Sequence, residues 1–194
     1  TESAGTLDKL VLHGVAPSAV GLVRDGIHVT LVIAESAPGA GDGGSLQIKE
    51  ELDWAFERGI EQVVFDNGTV WTPSDLRVML LAQASTSGND TIIGFNTDDI
   101  LQGGAGNDTL NAGSGNDTYI YSRGDGNDVI TTESAGTLDK LVLHGIAPSA
   151  VSLVRNGIDV TLVIVESAPG AGDGGSIQIK DELDWSFERG IEQV

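Results

Sequence analysis

From residue 92 to residue 119 an apolar side chain returns every nine residues, at Ile92, Leu101, Leu110 and Tyr119. That interval fits neither an amphipathic helix nor one long alternating strand. The residues between are mostly Gly, Asn and Asp, as in "GGAGNDTLN" (103–111) and "AGSGNDTYI" (112–120), which close tight turns and tolerate positive φ. The pattern predicts a turn of about six residues followed by a strand of about three, with two such units per coil and strands of successive coils stacked about 4.8 Å apart. "STSGNDTII" (85–93) and "GFNTDDILQ" (94–102) share the register, the second with Thr97 where a glycine is expected, and "YSRGDGNDVI" (121–130) repeats it with two extra residues. Ile92, Leu101, Leu110, Tyr119 and Ile130 form the predicted inward row.

Outside this block the pattern changes to ordinary alternation. "KLVLHG", "VGLVRDG", "HVTLVIAE", "SLQIKE" and "IEQVVFDNGTVWT" read as short strands, and Asn67-Gly68 marks a hairpin. Thr72-Pro73-Ser74-Asp75 supplies an N-cap, a proline at the first helical position and an acid at the third, so a helix is expected through about Gln83. Its apolar face, Leu76, Met79 and Leu80, is expected to cover the open end of the coil stack.

The alternating part occurs twice. Setting residue n against n+131 aligns 1–63 with 132–194, and only eight of the 63 pairs differ: at 15, 21, 25, 28, 34, 46, 50 and 55 of the first copy. The sharpest change is His28 to Asp159. A period this long is too large for one solenoid coil and implies a composite of two unlike parts. Residues 64–131 occur once. The organisation expected is a β-rich flanking and capping module at 1–84, which starts in the last strands of a preceding roll, then a repeat block at 85–141. A second, truncated flank follows at 142–194, repeating 11–63, and Thr1 reads as a cut inside a longer protein.

The 194 residues include 27 glycines, 29 Asp plus Glu and 10 Lys plus Arg, giving a formal net charge of −19. Such a surface repels nucleic acid and anionic membranes and attracts cations. Cysteine is absent, which removes disulfides and thiolate metal sites. No apolar run reaches the roughly 18 residues of a membrane span.

Charge and period meet in the aspartates. Asp90, Asp99, Asp108 and Asp117 hold one position of four consecutive nonapeptides, and the insertion moves the next to Asp128. Stacking sets Asp90 against Asp108 on one edge and Asp99 against Asp117 on the other. A calcium–oxygen bond is about 2.4 Å, so an ion between two stacked turns can touch both. Residues 85–130 hold seven aspartates against one basic residue, Arg123, and the inward row is too thin to offset chain entropy of about 1–2 kcal/mol per residue. Folding is therefore expected to be coupled to metal binding. The expected ligands are Asp90, Asp99, Asp108, Asp117 and Asp128, with backbone carbonyls of Gly88, Gly103, Gly104, Ala105, Gly106, Gly113, Gly115 and Gly126. Flexible carbonyl-rich turns suit calcium better than magnesium, which demands a stricter octahedron. Two ions are expected, and a third between the Asp108 and Asp128 turns. An EF-hand fails, because the loop from Asp125 has Ile130 where the invariant glycine belongs and Gly136 where the bidentate glutamate belongs.

The nonapeptide resembles G-G-x-G-x-D-x-U-x, the known calcium-binding repeat of RTX proteins. With the following "GTLDKLVLHGIAPSAVSLVRNGIDVTLVI" and "IQIKDELDWSFERGIEQV", the chain looks like a haemolysin-type (RTX) calcium-binding repeat with its haemolysin-related flanking domain. The resemblance implies an all-β fold: a right-handed parallel β-roll of calcium-binding nonapeptide repeats flanked by β-rich capping modules, with one short helix. It implies a large bacterial parent exported by type I secretion, leaving the low-calcium cytoplasm unfolded and folding outside the cell. The module is expected to be a non-enzymatic structural spacer whose partners are calcium ions and neighbouring repeats of the same chain, with neither nucleic acid nor membrane insertion. The alternatives are an adhesin segment that grips a cell-surface or glycan target, or the C-terminal part of a secreted hydrolase. Asp139 in "GTLDKLV", with its twin Asp8, reads as a last decayed repeat.

Other patterns receive plainer readings. "GAGDGG" (39–44) imitates a dinucleotide loop, but Asp42 would face the phosphates and an alternating strand follows, so a hairpin loop is expected. Glu50, Glu51, Asp53 and Glu57, mixed with Lys49 and Arg58, read as a solvated face, not a catalytic carboxylate pair. His13 and His144 read as strand histidines. Trp54, Phe56, Trp185 and Phe187 read as core or hairpin anchors, and the N-x-T sequons at Asn67, Asn89, Asn107 and Asn116 as turn residues.

Overall fold

The structure, a computed structural model, describes residues 7–49, 52, 59–131, 138–183, 191 and 193–194. It divides into two compact units, Thr1–Leu80 and Leu81–Val194.

The first unit holds β1 (Lys9–Leu12), a 3-10 turn at Pro17–Ala19, β2 (Val20–Asp25), β3 (His28–Ile33), β4 (Gly44–Ile48), β5 (Gln62–Phe65) and β6 (Val70–Trp71). β2, β3 and β4 form an antiparallel sheet in that order, while β1 lies parallel to β5, which is antiparallel to β6. Alternation in β3 turns Val29 and Leu31 inward, both fully buried, beside Leu22 and Ile48. The Asn67-Gly68 turn forms as its residues require: Gly68 has φ +86° and Phe65 accepts from the Gly68 amide at 3.0 Å. Phe65 and Trp71 then pack edge to face, 4.6 Å between centroids.

The division falls within α1 (Pro73–Ala84). Thr72 and Asp75 cap it reciprocally: Oγ1 of Thr72 accepts from the Asp75 amide at 3.3 Å and Oδ2 of Asp75 accepts from the Thr72 amide at 2.8 Å. Leu76, Leu80 and Leu81 are buried, and Met79 is half-buried.

The second unit opens with the nonapeptide strands β7 (Thr91–Ile93), β8 (Ile100–Gln102), β9 (Thr109–Asn111), β10 (Thr118–Ser122) and β11 (Asn127–Ile130). Alternate strands pair in parallel, so the block is a β-roll: β7 with β9 and β9 with β11 on one face, β8 with β10 on the other. Ile92 faces Leu110, Leu101 faces Tyr119, and Leu110 faces Ile130 across the two-residue insertion. All five residues of the predicted inward row are at most 3% exposed. Phe95, Ala112 and Tyr121 join them.

β12 (Lys140–His144) pairs in parallel with β10, extending one face of the roll. After a second 3-10 turn at Pro148–Ala150, β13 (Val151–Asn156), β14 (Asp159–Ile164) and β15 (Gly175–Ile179) form an antiparallel meander. β15 also lies parallel to β11, giving a six-stranded sheet in the order β13-β14-β15-β11-β9-β7. The antiparallel flank and the parallel roll are thus one continuous surface. Trp54, Phe56, Trp185, Phe187 and the acidic residues at 50, 51, 53 and 57 lie outside the described residues.

Candidate metal centre

The stacked turns bring the predicted aspartates together in two columns. On one edge the Asp90 amide donates to Oδ1 of Asp108 at 2.8 Å, and the Asp108 amide to Oδ1 of Asp128 at 3.0 Å. On the other the Asp99 amide donates to Oδ1 of Asp117, and the Asp117 amide to Oδ1 of Asp139, both at 2.8 Å. Each carboxylate thus satisfies a backbone donor one coil earlier, which is why the acid recurs in phase with the coil.

The residue before each aspartate works in the opposite direction. Oδ1 of Asn89 accepts from the Asn107 amide at 2.9 Å, and Oδ1 of Asn107 from the Asn127 amide at 2.9 Å. Asp98 serves the Asn116 amide and Asn116 the Leu138 amide on the other edge. The Asn-Asp dipeptide is a reciprocal clamp between coils, a role beyond turn propensity. The sequence carries the signal: an Asn or Asp precedes each of the five repeat aspartates.

The two ends of the columns differ from their middles. At the first turns the carboxylates close on local donors: the Thr86 amide and hydroxyl hold Asp90, and the Phe95 amide with the Thr97 hydroxyl holds Asp99. Thr97, the residue in the glycine position, therefore supplies a donor to its own aspartate. Asp108 and Asp117 are 1% exposed, and the Oδ2 atom of each is buried without a hydrogen-bond partner. A buried, unpaired carboxylate oxygen costs several kcal/mol unless a cation meets it.

Electrostatics agree. In the ion-free chain burial pushes the Asp117 carboxyl up to about 6, and the charges of Asp139, Asp99 and Asp98 push the same way. Burial, with Asp108 and Asp125 beside it, pushes Asp128 up to about 7. Asp125, at 8% exposure, is also raised by burial while its Oδ2 accepts from the Ser122 amide. The roll concentrates negative charge that it cannot neutralise from its own residues.

The glycines are sites of contact between coils. A Cβ on Gly106 would strike the Gly88 carbonyl, and a Cβ on Gly126 the Gly106 carbonyl. A side chain at Gly103 would collide with Oδ2 of Asp108, so that cradle exists only because Gly103 is bare. Among the expected carbonyls, Gly103 O accepts from the Ser85 hydroxyl at 2.9 Å. Gly126 O accepts from the Tyr121 hydroxyl at 2.8 Å and from the Ser176 amide at 3.0 Å.

Sequence reasoning left Asp139 out of the ligand set, yet it is fully buried and ends the second column; its Asp-x-Leu signature, Asp139 and Leu141, was the cue. Among the described residues no three acidic or histidine side chains converge as a metal cluster, so an ion here must complete its shell with carbonyl oxygens. His13, expected as a strand histidine, sits in the turn after β1 and pairs with Asp66 at 2.8 Å. The 39–44 segment is a hairpin loop between β3 and β4, with Glu35 accepting from the Gly39 and Gly41 amides.

Stacked parallel strands, bare glycine turns and two columns of inward acids define a parallel β-roll with cation-seeking edges. Residues 85–119 and, overlapping them, 93–130 match the family model described as the RTX calcium-binding nonapeptide repeat (4 copies). The segment 85–130 is an RTX repeat block, and the chain therefore carries a calcium-binding repeat module of a structural family. Both flanks lie outside the matched residues. A search of curated proteins gave no match. Among the described residues no helix is long and apolar enough to cross a membrane.

Proposed function

We propose that this chain is a calcium-folded structural spacer from a larger exported protein, its haemolysin-related flanks closing the rolls. The observation that carries the reading is the pair of buried, partnerless oxygens, Oδ2 of Asp108 and Oδ2 of Asp117. One ion would be held by Asp108 with Asp90 and the carbonyls of Gly88, Gly104, Ala105 and Gly106. A second would be held by Asp117 with Asp99 and the carbonyls of Gly113 and Gly115. Asp128 supplies a third seat beside Asp108. The ion contributes positive charge and oxygen coordination; the chain contributes turns that stack without side chains between them.

Extracellular modules of this kind bind calcium at about 0.1–1 mM, so millimolar calcium outside a cell orders the roll and micromolar cytosolic calcium does not. The same difference suits export of an unfolded chain by type I secretion. Circular dichroism during a calcium titration, with magnesium as control, tests the reading. A gain of β signal with calcium alone supports it; an unchanged spectrum rejects it.

A further inference from the structure

The two flanking copies carry nearly the same sequence, yet their strand edges meet different neighbours. By the 131-residue offset β1 corresponds to β12, and β4 to β15. In the second copy β12 pairs with roll strand β10 and β15 with roll strand β11, both in parallel. In the first copy β1 and β4 are each, among the described residues, the terminal strand of a three-stranded sheet.

Burial follows that difference. Ile177 of β15 is 1% exposed, and its counterpart Leu46 is 41% exposed. Leu141 is buried where Leu10 is half-exposed, and Asp139 is fully buried where Asp8 is not. The glycine at the head of each edge strand is the sharpest comparison. A Cβ on Gly175 would strike the Gly126 carbonyl and the Tyr121 hydroxyl of the roll, whereas nothing lies within 4 Å of the same position on Gly44.

We infer that the outer edges of β1 and β4 form a seat for the closing coil of another calcium-loaded nonapeptide roll, supplied by a segment of the parent chain N-terminal to Thr1. The second copy shows the contacts such a coil makes. Its Ser176 and Lys180 amides donate to Gly126 O and Ile130 O, its Lys140 amide to Asp117 O, and its Asp139 carboxylate takes the Asp117 amide. Ser45, Lys49, Lys9 and Asp8 are the same residue types at the same offset. Arg123 of the roll reaches the Val165 carbonyl at 2.7 Å, and Ala34 offers the equivalent oxygen. An open strand edge of this kind is a pairing template, and here its shape and register already fit one partner. Each flank then works as a joint, ending one roll and leading into the next. The inference rests on the calcium-folding reading above.

The test adds residues 1–131 ahead of the full 194-residue chain, so that the Thr131–Thr1 junction copies the existing Thr131–Thr132 one. Amide hydrogen exchange in calcium is compared between the two chains. In the longer chain the Ser45, Lys49 and Lys9 counterparts of the second period slow by roughly tenfold or more, toward the rates of Ser176, Lys180 and Lys140. Gly44→Val leaves the melting temperature of the 194-residue chain unchanged and abolishes the slowing in the longer one. If calcium raises the β signal and protects the roll while these three amides exchange at unchanged rates, the seat does not exist. Slowing that survives Gly44→Val overturns it equally. A longer chain with no calcium response overturns the folding reading along with it.

Discussion

The roll is built from strands of three to five residues and the antiparallel flank sheets from strands of five or six, and they bury different things. The flank sheet β2-β3-β4 turns Leu22, Val29, Leu31 and Ile48 inward and keeps its acids outside. The roll buries its apolar row too, but every buried acidic side chain among the described residues lies between Asp99 and Asp139. One region folds by removing hydrocarbon from water, and the other holds buried charge that a bound cation or, in acid, a proton neutralises. The comparison teaches that strand content says little about what a fold needs from its surroundings.

Chelation should break the two regions apart most widely. With calcium removed, amides of β7 to β11 lose protection while those of β2 and β3 keep theirs; hydrogen exchange with and without chelator reads this, and simultaneous loss would erase the distinction. Next in size is Leu31→Ala, which empties a fully buried site and costs about 2–5 kcal/mol of flank stability. That loss is the same at low and high calcium, as paired thermal melts would show.

Asp108→Asn separates the two duties of one side chain. The amide oxygen still accepts from the Asp90 backbone, but the charge is gone. Calorimetric titration should give roughly tenfold weaker calcium binding, about 1.4 kcal/mol, while melting of the flank is unchanged.

Acid should narrow the gap. Asp117 and Asp128 have folded values raised to about 6 and about 7, above the ordinary carboxyl range. In the ion-free chain their contribution to stability is fully present below about pH 4 and is lost as pH rises through 6 and 7. Chelated protein should thus show more β signal at pH 5 than at pH 8, and calcium affinity should increase over the same rise because binding must displace those protons. The smallest effect is Thr72→Ala, which removes the cap of α1 and costs about 1 kcal/mol without touching calcium affinity.

Much of this was legible because it is local or periodic. The nine-residue phase placed Ile92 through Ile130 inside and set Asp90 beside Asp108, and both follow from a coil of fixed length. The Asn67-Gly68 hairpin and the Thr72 cap are short-range chemistry, and they stand where the residues put them. The docking of β15 on β11 was not legible, since partners some 49 residues apart, such as Asn127 and Ser176, leave no mark in either segment alone. Nor were the partners of Gly126 O, which accepts from Ser176 of that docked strand and from the Tyr121 hydroxyl of the roll itself. The asparagine clamp was hidden differently: its residues were noticed and explained by a weaker cause, their tolerance of turns.

The direction of the aspartate column has a consequence for a growing polypeptide. The amide of Asp90 waits for an oxygen that arrives 18 residues later, and that of Asp108 for one 20 residues later. A chain entering calcium N-terminus first therefore always carries two open bends beside its point of entry, one on each edge, and each new bend closes the one a full coil earlier. The newest end advances like a zipper whose slider is the youngest turn, and it comes to rest where a residue such as Asp139 ends the run.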